Sequence, residues 1–278
     1  DAKGKELAAQ IQPINGKIVV VGIGMSNWTQ DLCSGKWPSC TTGSFIRTAN
    51  ADARVNHANL VLVDCAQGGH TVNTWLDDSR GSYTTCKDRL AAEGLTEDQI
   101  QVVLWKNAIP KPASSLSAST SCTPNSTVDA CKYANLLGQV VRALKSRYPN
   151  LKQMFLHSRT YGGYALTDLN PEPYAYEYGF ATKWLIQAQI NQIGTGKINP
   201  LVGDLDYRTG IAPWIAWGPY FWASDNNPRS DGLVWLETDF RSNDRTHPSA
   251  DGVKKVADLM MQWYLTSLYT PWFRTSGE

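Results

Sequence analysis

The sequence predicts an α/β fold, a three-layer arrangement in which helices cover both faces of a parallel sheet of about five strands. Three observations carry this. Apolar runs of strand length alternate with longer stretches of helical periodicity. The runs are apolar almost throughout, the pattern of strands buried on both faces. No internal repeat and no low-complexity domain linker interrupts the alternation.

In chain order, IVVVGIG (18–24) reads as the first strand and LVLVDCA (60–66) as the second. CKDRLAAEGL (86–95) reads as a short helix, and IQVVLW (100–105) as the third strand. VDACKYANLLGQVVRALKSRY (128–148) sets apolar residues at helical spacing, with Pro149 just beyond as a stop. QMFLH (153–157) is the fourth strand, EYGFATKWLIQAQINQI (177–193) a further helix, and PWIAW (213–217) a fifth strand. SADGVKKVADLMMQWYLTSLY (249–269) is the last helix, with Ser249 placed to cap its N-terminus. SSLSASTSCTPNST (114–127) reads as one long polar loop, not a linker. A single domain over residues 1–278 is expected.

Composition excludes some classes of function. Hydrophobic residues make up 42% and charged residues 18%, and the formal net charge is +1. No Lys/Arg block suits a nucleic-acid backbone or an anionic membrane. No apolar run approaches the ~18 residues of a membrane span. The first ten residues, DAKGKELAAQ, are not a signal peptide, and fit what cleavage of one leaves behind.

Six cysteines are present, without a CxxC pair, and only four histidines, so zinc-finger spacing is absent. CSGKWPSC and CTPNSTVDAC are short polar loops that suit disulfides. Proximity pairs Cys33 with Cys40 and Cys122 with Cys131, and leaves Cys65 with Cys86. Six free thiols in a cytoplasmic protein is the alternative. Oxidised pairs imply export. Asn27-Trp-Thr and Asn125-Ser-Thr are glycosylation sequons, relevant only in a glycosylating secretory pathway.

In a parallel sheet, ligands bind outside the carboxyl ends of the strands, so functional residues should follow the apolar runs. Ser26 follows the first. Its surroundings fail the dinucleotide pattern G-x-G-x-x-G, because Asn27 takes the third glycine position. They also fail the elbow G-x-S-x-G, because Trp28 stands where glycine is needed. Alone, the stretch fits a nucleophile or a strand-to-helix turn capped by Ser26 or Asn27. FRSNDRTHPSADG (240–252) sets Asp244 three residues before His247. A carboxylate that orients an imidazole, which in turn takes a proton from a serine hydroxyl, is what nucleophilic catalysis by serine needs. Loop and cap roles are the alternative for both. QGGHT (67–71) follows the second strand and WKNA (105–108) the third. A backbone N–H at Gly69 and the side-chain N–H of Asn107 are the kinds of donor an oxyanion hole uses. A plain turn glycine and a loop cap are the alternatives.

Taken together, a serine after strand one, a glycine after strand two, an asparagine after strand three and Asp-x-x-His-Pro near the C-terminus resemble the SGNH (GDSL-type) hydrolase family. The resemblance spans the chain from about Lys17 to the last helix. It implies a flavodoxin-like fold, with Ser26 as nucleophile, His247 as base and Asp244 as its orienter. It implies an oxyanion hole from Ser26 N–H, Gly69 N–H and Asn107. IGMSN, AQGGHT, HSRTYGGYA and WGPYFWA…PRSDGLVW look like a secreted bacterial branch. Two departures stand out: Met25 replaces the usual Asp before the serine, and block three reads W-K-N-A, not G-x-N-D. Neither touches the catalytic set, so activity is expected to survive.

Lys106 is expected to point to solvent, the rule for lysine. His157, Arg159 and Tyr161 follow strand four and fit pocket-lining roles, with an ion-pair role the alternative for Arg159. His57 and His70 are expected at the surface. Trp214, Trp217, Trp222 and Trp235 crowd one region. Aromatic faces stack on sugars and also fill cores; core packing is the default. Arg159, Tyr161, Trp217 and Trp222 are the candidate substrate-binding residues.

The expected function is hydrolysis of short acyl esters, acetyl above all, on a carbohydrate, through an acyl-enzyme on Ser26. A broad-specificity lipase or arylesterase, and a non-catalytic carbohydrate-binding protein on the same scaffold, are the alternatives. No metal or cofactor is expected. The partner would be a small-molecule or polysaccharide ester, not nucleic acid, in a secreted or periplasmic setting.

Overall fold

A computed structural model of the chain describes residues 1–275. Its elements in chain order begin with helix α1 (Ala2–Ala9), strand β1 (Ile18–Gly24), and helices α2 (Ser26–Leu32) and α3 (Phe45–Ala49). Strand β2 (Leu60–Asp64), helix α4 (Ser82–Ala92) and strand β3 (Ile100–Lys106) follow. Helix α5 (Asp129–Arg147), strand β4 (Gln153–Leu156) and helix α6 (Tyr174–Thr195) come next. Strand β5 (Trp214–Trp217) and helix α7 (Ala250–Thr266) complete the fold.

The five strands form one sheet in the order β2-β1-β3-β4-β5, every pairing parallel. This is the flavodoxin-like order of doubly wound sheets. Side chains alternate between the two faces along each strand. Val19, Val21 and Ile23 of β1 pack with Val103 of β3, Leu137 of α5 and Leu185 of α6. Ile18 and Val20 point the other way, into a core with Trp28 of α2, Phe45 of α3 and Met260 of α7. Helices therefore cover both faces, the three layers the sequence predicts. A fully buried Val or Leu contributes roughly 1.5–3 kcal/mol, and these two cores are where that stabilisation resides.

The cysteines pair as proximity suggests: Cys33–Cys40, Cys65–Cys86 and Cys122–Cys131. Ser249 caps α7, its side chain accepting the Gly252 N–H. Among the described residues, no helix is long and apolar enough to cross a membrane.

Two strand ends bear directly on the site. Gly24 pairs with Lys106 in register, so β1 and β3 end side by side. A Cβ on Gly24 would lie 2.2 Å from the Lys106 carbonyl oxygen and 2.8 Å from the Trp28 Cβ. Only glycine lets the chain leave β1 this closely packed and enter α2 at once.

Candidate active site

Ser26 is the first residue of α2 and is half-buried. The first helical amide bonds run from Trp28 and Thr29 to the Met25 carbonyl, so the Ser26 N–H precedes them. First-turn amides of a helix have no partner within it and are available to an acceptor. Asn27 is 2% exposed and donates through Nδ2 to the Thr246 carbonyl at 2.8 Å, which ties α2 to the histidine loop. That burial removes Asn27 as a glycosylation acceptor, whereas Asn125 is exposed.

His247 Nε2 lies 2.8 Å from Ser26 Oγ. On its other side, His247 Nδ1 lies 2.8 Å from Asp244 Oδ2. The second oxygen, Oδ1, accepts the backbone N–H groups of Thr246 at 2.8 Å and His247 at 2.9 Å. Burial alone would push the Asp244 carboxyl up, but these amides and the imidazole outweigh it. They hold Asp244 below the usual carboxylate range, so it is ionised at neutral pH. The side chains of His247 and Asp244 are 17% and 16% exposed: reachable by substrate, yet fixed by their neighbours.

The QGGH stretch folds as a tight turn, with His70 N donating to the Gln67 carbonyl at 3.2 Å. Gly69 takes the third position with φ +77°, which a side chain disfavours. A Cβ on Gly68 would lie 3.9 Å from Ser26 Cβ, so the turn stands against the serine. Asn107 directly follows β3. Its Nδ2 donates to the His70 carbonyl at 3.1 Å, and its Oδ1 accepts the Ala108 N–H at 2.7 Å. These bonds fix the amide, and Nδ2 has a second hydrogen to give. A cavity of about 530 Å³ opens beside Gly69, lined by Thr71, Asn73, Asp77 and Arg80 among others.

Several expectations are corrected. Lys106 is not solvent-facing: it is 1% exposed, with Nζ 2.6 Å from Asp31 Oδ2. An ammonium at the end of a buried strand stays inside because a carboxylate meets it there. His70 is buried, its Nδ1 2.6 Å from Ser82 Oγ, while His57 is exposed as expected. His157 lies in the core, stacked on Phe221 at 5.4 Å and against Trp28 at 4.7 Å. Burial pushes its pKa down to about 3, so it stays neutral.

Arg159 is 3% exposed, and its Nε and Nη1 are buried without a hydrogen-bond partner. Tyr161 and Trp222 are half-buried and their rings meet at 6.4 Å. Trp222 is held by its Nε1, which donates to Glu172 Oε1 at 2.8 Å. The other oxygen of Glu172 accepts the Tyr176 N–H at 3.0 Å, and the Tyr176 and Trp222 rings lie 4.4 Å apart. Trp217 lines a cavity of about 290 Å³ with Tyr176, Phe180 and Tyr220. Trp235 is the core tryptophan of the group, fully buried with Nε1 donating to the Phe221 carbonyl.

Sequence reasoning missed Asp31 and Glu172, which organise this region. A lysine ending the apolar run IQVVLW was the available signal, since a buried charge demands a partner.

No family model and no curated protein matches the chain. Solved structures that resemble it include a protein from Arabidopsis thaliana, at 16% identity and TM-score 0.34, aligned over 75% of this chain and 62% of the other. A Bacillus subtilis protein aligns at 13% identity and TM-score 0.40 over 91% of this chain and 57% of its own. The chain thus spans about three fifths of the length of each. A catalytic mutant of an acetylxylan esterase from Geobacillus stearothermophilus aligns at 14% identity and TM-score 0.45, over 95% of this chain and 100% of that one.

Proposed function

We propose that the protein is a serine esterase of the SGNH type. One observation carries this reading: the hydrogen-bonded chain from Ser26 Oγ through His247 to Asp244, with both links at 2.8 Å, at the carboxyl ends of the strands. His247 Nε2 takes the serine proton as Oγ attacks the ester carbonyl carbon. The C=O π electrons move onto oxygen, and Ser26 N–H, Gly69 N–H and Asn107 Nδ2–H receive that charge. The C–O bond to the alcohol then breaks, with the proton passing from His247 to the leaving oxygen. Water, deprotonated by the same imidazole, attacks the acyl-enzyme and frees the acid and Ser26. Asp244 keeps Nδ1 protonated and offsets the imidazolium charge in both halves.

The acyl group is read as short, acetyl above all, and the alcohol as a carbohydrate. The support is the aromatic group of Tyr161, Trp222, Tyr176 and Trp217, half-buried or exposed and braced by Glu172. Such faces suit sugar rings. The loop that carries Tyr161 meets the histidine loop at Leu166, whose N–H donates to the Asp244 carbonyl at 3.0 Å. Three cysteine pairs favour an oxidising compartment, extracellular or periplasmic.

Acetylated xylan assayed beside p-nitrophenyl esters of rising chain length tests the substrate. Release of acetate from xylan, with aryl-ester rates falling beyond the shortest chains, is expected. Rates that rise with chain length would point to a lipase. A folded protein that hydrolyses none of them and does not react with a fluorophosphonate would be a binding module.

A further inference from the structure

Two charged side chains are sealed beneath the candidate nucleophile. Lys106 Nζ and Asp31 Oδ2 lie 2.6 Å apart, and each side chain is 1% exposed. The ammonium sits over the faces of Trp28 and Phe221, 5.7 and 5.1 Å from the ring centroids. Burial pushes Asp31 up and Lys106 down, each opposed by the charge of the other. Taking two ions out of water costs several kcal/mol apiece, and apolar side chains of similar volume often serve stability as well or better. Stability alone is therefore a weak reason for this pair.

What the pair joins gives a better one. Asp31 belongs to α2, the helix whose first residue is Ser26. Lys106 is the last residue of β3, directly before Asn107. Three further bonds hold α2 in place. Trp28 Nε1 donates to the Leu104 carbonyl at 2.9 Å, Thr29 Oγ1 to Asp64 Oδ2 at 2.5 Å, and Asn27 Nδ2 to the Thr246 carbonyl at 2.8 Å. Of the four ties, the ion pair ends on the residue next to Asn107. Charge also matters here. The Asp31 carboxylate feels His247 as well as Lys106 and Arg159, so an imidazolium formed during the reaction lies within its range.

We propose that the buried Lys106–Asp31 pair is a positioning device, holding Ser26 at a fixed distance from Asn107 so that nucleophile and oxyanion donor stay aligned through the reaction. The inference rests on the esterase reading above. Lys106 and Asp31 touch no substrate in this account; they act through the two residues they join.

The test compares the wild type, Ser26→Ala and the double variant Lys106→Met/Asp31→Leu in steady-state hydrolysis of p-nitrophenyl acetate, with a thermal melt of each. The double variant is expected to melt near the wild type and to lose kcat on the order of 10- to 100-fold with KM held, the effect of a small misplacement. Wild-type kcat in the folded double variant overturns the inference. Should that variant not fold, Asp31→Asn keeps the volume and is assayed below its melting temperature. The same kcat loss is expected of it, and wild-type kcat there is equally fatal. If Ser26→Ala turns over like the wild type, the nucleophile reading falls and takes this inference with it. If Ser26→Ala is silent while the paired variant keeps full kcat, this inference falls alone.

Discussion

Ser26 Oγ and His247 Nε2 stand 2.8 Å apart although 221 residues separate them in the chain. The contact joins the start of α2 to the loop before α7, and Asp244 holds the imidazole from behind at 2.8 Å.

Asp244→Asn tests that support. An amide at this position no longer favours the Nδ1-protonated tautomer or offsets the imidazolium. A fall in kcat on the order of 10³- to 10⁴-fold is expected, with the fold and KM little changed. Steady-state kinetics on a short aryl ester give the number; a loss below tenfold would mean that Asp244 is only a loop residue.

Asn107→Ala removes a donor that the His70 carbonyl already orients at 3.1 Å. A kcat loss of about 10²- to 10³-fold is expected, with fluorophosphonate labelling of Ser26 slowed but not abolished. Unchanged kcat would place the oxyanion elsewhere.

Much of this was legible in the sequence. Buried parallel strands are nearly continuous apolar runs, so β1 falls at Ile18–Gly24 as read, and the other four strands lie within two residues of their expected bounds. The long helices were legible through their periodicity, though α4 begins earlier, at Ser82, in a polar stretch with no apolar signal. Helices α1, α2 and α3 were not placed. At seven and five residues, α2 and α3 are too short to show a period, and tertiary contacts hold them. The candidate site was legible because Ser26, Gly69 and Asn107 each come after a strand and Asp244 and His247 share one short loop before α7. The Lys106–Asp31 contact was not, because its members are 75 residues apart and a lone lysine ordinarily faces water.

Asp64 predicts a pH effect on stability. The residue ends β2, is 1% exposed, and accepts from Thr29 of α2. Burial raises its pKa from 3.8 to about 7, against the bonds from Thr29 and Ala66 and the charge of Arg89. Between those values the folded state binds a proton that the unfolded chain releases. This contribution to stability is full below 3.8 and is lost as pH rises through about 7. Asp64→Asn should flatten that decline, as read from denaturation midpoints at pH 5 and pH 8. A wild type and variant with parallel pH profiles would refute it.

The Cys65–Cys86 bridge ties the end of β2 to α4 across a sequence separation of 21, and both residues are fully buried. Replacing both with alanine should cost about 3 kcal/mol, chiefly by freeing the unfolded chain. Urea denaturation measures this; a midpoint equal to the wild type would show that the bridge adds nothing to stability.

The most direct test of the central claim is p-nitrophenyl acetate hydrolysis by the wild type and by Ser26→Ala, side by side on protein shown to be folded. Turnover in the wild type that disappears in Ser26→Ala is the predicted result. Equal turnover in both, or none in either, would contradict the assignment of Ser26 as the nucleophile of an esterase.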